Sequence, residues 1–228
     1  MEANGAGQNG SGGGGVRLDR SDRRAEPPPE QVRELAEACV RFVERAVGVK
    51  LDYSAETLPI VDHYLSQARG SLASAASKPE AGALVAHAAG AYFGEVVRRR
   101  HPSWWRLGGG DPSAWRIELE PVYLSFGPVE LVADALVRQE QEEDEAQAFS
   151  RLEVQEEDRA VIAERLANLP PVDEDTFHAP STWLEVIDIA IDAIRARRLG
   201  EGEEADATLQ PRDYDTDDTG DPGDPGAS

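Results

Sequence analysis

The chain has 228 residues, with 44 acidic side chains against 23 basic ones and a formal net charge of −21. That balance argues against general affinity for nucleic acid or anionic membrane surfaces, since both require positive surface. A single cysteine, Cys39, rules out an intramolecular disulfide, and there is no signal-peptide core and no uninterrupted apolar stretch of about 20 residues; the expected setting is a reducing one, the cytoplasm, with no membrane segment.

The charge is unevenly spread. Residues 201–228 hold ten acids and one arginine, residues 139–158 hold nine acids and one arginine, and the remainder sums to only −4. Residues 1–28, rich in glycine at their start, read as a disordered N-terminal tail, and residues 201–228, ending in TDDTGDPGDPGAS, as a disordered acidic C-terminal tail. Neither offers enough apolar surface to offset the entropy of ordering it. Residues 29–200 are left as a single globular domain of ordinary size.

Pro27-Pro28-Pro29 opens the first helix, in which Val32, Leu35, Ala36, Cys39, Phe42, Val43 and Val47 recur at the helical period, with Gly48 near its end. Ser54 is a plausible N-cap for a second helix carrying Leu58, Val61, Tyr64 and Leu65. Ser77-Lys78-Pro79-Glu80 has the pattern of a capping box before a third. This third helix has a bulky arc of Val85, Tyr92, Phe93 and Val96 and an otherwise smooth surface of alanines with Gly90 and Gly94. Each glycine costs a helix roughly 1 kcal/mol against alanine, so close packing on more than one side is expected.

After Pro102 the period shortens. Trp104–Leu107, Trp115–Leu119 and the alternating Val122, Leu124 and Phe126 read as three short strands of an antiparallel sheet, with Gly108-Gly109-Gly110 as a hairpin loop. Gly127-Pro128 opens another helix, and residues 139–150 read as a charged extension or a connection. An amphipathic helix through Val161, Ile162, Leu166 and Leu169 stops at Pro170-Pro171. A final helix, about Thr182 to Leu199, is apolar except for a stripe of Glu185, Asp188, Asp192 and Arg195. The expected fold class is α+β, with five or six helices packed around a small antiparallel sheet of about three strands.

The segment GAYFGEVVRR followed by the tryptophan strand, the alternating strands and the Gly-Pro helix, together with LANLPPVDEDTF before the last helix, resembles uncharacterised bacterial proteins with a G-x-Y-x-G-E-V helix. The likeness spans roughly residues 30–199. It implies an α+β fold and no catalytic role.

The chain contains no G-x-S-x-G, H-E-x-x-H, C-x-x-C or phosphate-binding loop. Glu95 is the one carboxylate in the central run PEAGALVAHAAGAYFGEVVRRR. If buried in a pocket it is a candidate general acid or base beside His87. Its plainer reading is an ion pair with Arg98 or Arg99, three and four residues on. His87 lies eight residues earlier, roughly 12 Å along a helix, too far for a shared metal. Asp173-Glu174-Asp175 with His178 lacks the glycine and spacing of a calcium loop. No metal and no cofactor is expected.

Arg98, Arg99, Arg100, Trp104, Trp105, Arg106 and Arg116 form the basic, aromatic island of an acidic chain, and arginine and tryptophan are favoured as interface anchors. Their plain reading is helix-end arginines and core tryptophans. The leading expectation is a non-catalytic protein–protein interaction module with a protein partner, and neither nucleic acid nor membrane. The alternative is a small enzyme using Glu95 and His87 as acid–base groups.

Overall fold

The structure is a computed structural model that describes residues 26–74, 79–136, 150–170 and 177–215. The capping residues Ser77 and Lys78, most of the acidic run at 139–150, Asp173-Glu174-Asp175 and nearly all of the N-terminal tail lie outside the described residues. The fold is α+β: six described helices and a four-stranded antiparallel sheet.

Helix α1, Glu30–Val47, buries Val32, Ala36, Cys39 and Val43, a stripe at steps of four, three and four. It stops where Gly48 takes a left-handed conformation (φ +78°) and returns its N–H to the Glu44 carbonyl. Residue 54 leads into a short 3-10 turn, Ala55–Thr57, before α2, Leu58–Ser74. The Ser54 side chain makes no capping bond; its N–H is instead accepted by Asp52 Oδ1 at 2.9 Å.

Helix α3, Pro79–Arg100, is the axis of the molecule, and α1 packs along it. From Ala88 to Arg98 every residue is buried. The glycines provide the close approach that the sequence implies. A Cβ at Gly90 would stand 2.6 Å from Val129 Cα, and one at Gly94 would stand 2.3 Å from the Trp105 ring.

Strands β1 (Ser103–Arg106), β2 (Arg116–Leu119), β3 (Leu124–Phe126) and β4 (Glu153–Val154) pair in that order, all antiparallel. The sheet thus has one strand more than expected. The glycine loop joins β1 to β2 as a hairpin, tightened by a 3-10 turn at Pro112–Ala114 whose Asp111 carboxylate accepts from Ser113 N. Side chains alternate across the sheet. Ile117, Leu119, Leu124, Phe126 and Val154 point into the core, where Phe126 meets Phe93 of α3 at a ring separation of 6.1 Å. Helix α4, Pro128–Leu136, follows β3 and packs on α3; α5, Glu156–Ala167, packs on α6, Pro180–Gly200. Buried Asp158 joins α5 to α6 through Arg197 Nε at 2.7 Å.

The folded unit extends past the expected boundary at 200. Ala207 N donates to Pro121 O (2.7 Å) and Leu209 N to Glu120 O (3.0 Å), laying residues 207–215 as a strap against the β2–β3 connection. Tyr214 is buried; its hydroxyl accepts from Leu124 N (2.9 Å) and faces the carbonyls of Leu119, Val122 and Leu124. Residues 201–215 therefore belong to the domain, and 216–228 lie outside the described residues. Among the described residues no helix is long and apolar enough to cross a membrane.

Candidate functional site

The three arginines of the island at the end of α3, Arg98 to Arg100, leave it in different directions. A helix turns 100° per residue, so neighbours in sequence cannot share one face. Arg98 points inward. Its Nε and Nη2 donate to Glu95 Oε1 and Oε2 at 2.8 and 2.9 Å, a two-pronged pair in which Glu95 is 1% and Arg98 5% exposed. Trp105 Nε1 also donates to Glu95 Oε1, at 2.8 Å, so Trp105 lies between this carboxylate, Gly94 and the edge of the Trp115 ring.

Glu95 is therefore a buried, doubly engaged ion-pair partner. His87 is half-buried and not among its partners.

Arg99 lies on the surface with its guanidinium 4.0 Å above the Tyr53 ring. Tyr53 is the one described non-glycine residue with positive φ (+66°), a conformation that needs support. Tyr92 provides it. Its ring stacks on Tyr53 at 4.8 Å, and its hydroxyl accepts from Tyr53 N at 2.9 Å while sharing a 2.7 Å bond with Thr57 Oγ1. Burial pushes the Tyr92 phenol up to about 12, and Tyr214 is raised by the same cause. A phenol raised in the fold contributes stability that is fully present below its unfolded value near 10 and is lost as pH rises towards 12. Between those limits Tyr92 alone should cost about 1–2 kcal/mol, discounted for solvent near the Tyr53 loop. Urea midpoints measured over that range should fall, and Tyr92→Phe, weaker at neutral pH, should fall less steeply.

Arg100 and His101 turn to α6. Arg100 Nε donates to Asp188 Oδ1 at 3.0 Å, and His101 Nε2 lies 2.6 Å from the same oxygen. Burial works to raise the Asp188 carboxyl, but the bonds from His101 and Arg100 outweigh it and hold it below the usual range.

The rest of the island meets on the outer face of the sheet. The register sets Trp104 beside Glu118, Glu118 beside Ser125 and Ser125 beside Glu153, with Arg106 beside Arg116 in the next row. Trp104 Nε1 and Arg106 Nε both donate to Glu118, which is 2% exposed. Arg116 Nη2 donates to Ser125 Oγ (2.9 Å) and Glu153 Oε2 (2.7 Å). The strap borders this face. Tyr214 stacks on Tyr123 at 4.5 Å and meets Trp104 edge-on at 5.8 Å, and Arg106 binds Asp215 Oδ1 (2.7 Å) and the Pro211 carbonyl (2.6 Å).

Beyond Arg116, at the β4 edge, lies an open hollow of about 580 Å³ lined by Arg116, Arg151, Arg159, Glu130 and Glu153. Each arginine there is already matched: Arg116 with Glu153, Arg151 with Asp134 and Glu130, and Arg159 with Glu156. The hollow is polar but charge-balanced. Among the described residues no group of three or more His, Cys, Asp or Glu is placed to hold a metal ion.

Of the seven island residues the fold thus gathers Trp104, Arg106 and Arg116 on one surface and scatters Arg98, Arg99, Arg100 and Trp105. Sequence reasoning missed Glu118, Tyr123, Tyr214 and Asp215, which complete that surface. The signal for Tyr214 was available: Leu209 and Tyr214 are the only large apolar or aromatic side chains in residues 201–228. Comparison with protein-family models, with curated proteins and with solved structures returns no match.

Proposed function

We propose that this chain is a non-catalytic binding protein, and that it holds a protein partner on the outer face of its sheet through Trp104, Arg106 and Arg116. The observation that supports this reading is the arrangement of that face. One tryptophan and two partly exposed arginines stand on adjacent strands of a sheet whose other face is the core, with two tyrosine rings at the border. Arginine and the large aromatics carry most of the energy of protein interfaces, and side chains already held by in-plane carboxylates lose less entropy on binding than free ones.

The matched charges weigh against nucleic acid, because Arg106 and Arg116 bring their own counter-ions and the chain as a whole repels phosphate. A cytoplasmic setting fits the lone buried thiol of Cys39. No observation favours the acid–base reading of Glu95 and His87.

The test is retention of a partner from lysate by the full chain as bait. Removing Arg116 leaves behind the partly exposed Glu153 and the buried Ser125, whose hydroxyl still donates to Glu153 Oε2 at 3.0 Å. Arg116→Ala should therefore keep the wild-type melting temperature and weaken retention at least tenfold, the scale of an interface hot spot. Trp105→Ala is unsuited to the purpose, because its ring is packed against Gly94 and bonded to Glu95. Equal retention by a folded Arg116→Ala variant would remove this face as the interface.

A further inference from the structure

We propose that residues 207–215 are an internal ligand of the outer sheet face, and that the partner displaces them with a segment that pairs by its main chain and then, like the 3-10 turn Pro211–Tyr214, turns to present an aromatic side chain followed by a carboxylate. This rests on the reading of that face as the contact surface, and adds the chemistry of the partner and the means by which access is controlled.

The seated strap shows what the face recognises. Two of its backbone N–H groups, of Ala207 and Leu209, pair with the carbonyls of Pro121 and Glu120. The Tyr214 ring fills the slot between Tyr123 and Trp104, and its hydroxyl closes on the backbone of the β2–β3 connection. Asp215, next in the chain, sets its carboxylate on Arg106, whose other terminal nitrogen takes the Pro211 carbonyl. Main-chain pairing with one ring pocket and one charge contact is a recurring way of reading a peptide; here residues 207–210 pair by main chain, and the 3-10 turn Pro211–Tyr214 delivers the ring. Nothing in the set of contacts requires the segment to belong to this chain.

The strap is also suited to exchange. The Arg106–Asp215 pair is solvated, with the two side chains 37% and 60% exposed, so it holds weakly. Residues 200–204, which lead into the strap, are all exposed, and Gly202 turns there with φ +82°. A tethered segment of this kind competes at an effective concentration in the millimolar range. The Trp104–Arg106 side of the face therefore stays occupied against weak, unspecific contacts and opens to a segment that binds more tightly than the strap does.

The probe is a fluorescein-labelled peptide of residues 206–215, DATLQPRDYD, followed by anisotropy against three full-length proteins: wild type, Asp215→Ala, and Tyr214→Ala combined with Asp215→Ala. The peptide should bind Asp215→Ala at least threefold, and the double variant at least tenfold, more tightly than wild type. A peptide carrying the same two alanines should not bind. Equal affinity for all three proteins, or for both peptides, overturns the proposal. If near-ultraviolet circular dichroism shows the double variant unfolded, the Asp215→Ala comparison decides alone, since that side chain lies at the rim. Failure of the underlying reading looks different: partner retention indifferent to Arg116→Ala, whatever the peptide does.

Discussion

Methionine in place of Arg98 should lower the unfolding free energy by about 3–5 kcal/mol, the usual cost of removing one member of a buried ion pair. Glu95 would keep only the Trp105 N–H among its present partners while remaining 1% exposed, and a carboxylate left in such a place is either desolvated without compensation or neutralised. Against a total stability of about 5–15 kcal/mol, that loss is large. The cost comes from the orphaned charge, so Glu95→Leu combined with Arg98→Met should recover much of it, because an apolar pair of similar volume avoids desolvation altogether. Urea unfolding of the two single variants and the double variant gives the coupling. A loss below about 1 kcal/mol for Arg98→Met would mean that water reaches the pair.

Gly90→Leu should abolish the folded state, and even Gly90→Ala should be destabilising. In an open helix alanine gains roughly 1 kcal/mol over glycine. At Gly90 the added Cβ meets Val129 Cα at 2.6 Å and Val129 N at 2.9 Å, which are backbone atoms of α4 and cannot rotate away. Separating two packed helices costs about 1–3 kcal/mol for one methyl and more for a larger group, so the sign of the substitution reverses. Gly70 in α2 supplies the control. Nothing lies within 4 Å of a Cβ built there, and Gly70→Ala should raise stability by about 0.5–1 kcal/mol. Denaturant midpoints moving in opposite directions for these two identical substitutions would isolate packing from propensity.

Much of this architecture is legible in the residues. The glycine at 48 stops α1 as read, the Gly90–Gly94 spacing signals close approach, and the alternation through Trp115–Leu119 places a strand with Ile117 and Leu119 inward. Strand β4 is not legible, because two residues are too few to show a period of two. The island misleads for a related reason. Adjacency in sequence suggested one surface, but helical rotation sends Arg98 to Glu95, Arg99 to Tyr53 and Arg100 to Asp188, and strand alternation separates Trp104 from Trp105. The plain reading of Glu95 as an ion-pair partner holds, but its burial does not follow from spacing; it depends on Trp105 closing over it. The strap was hidden by composition. A run dominated by Asp, Glu and Gly averages out a single tyrosine whose contribution comes from where it lands.

That tyrosine also sets the order in which the molecule can be finished as it is made. Its hydroxyl serves the backbone of residues that precede it by 90, 92 and 95 positions, so the β2–β3 connection leaves the ribosome long before the group that completes it. Contacts so far apart in sequence form late, after the loop between them has been closed. Until Tyr214 arrives, the carbonyls of Leu119 and Val122 must be hydrated or borrowed from elsewhere. A nascent chain of this protein therefore carries, while the next 90 residues after Leu124 are added, an open turn beside Trp104 and Tyr123, and seals it with one of the last described residues to be added.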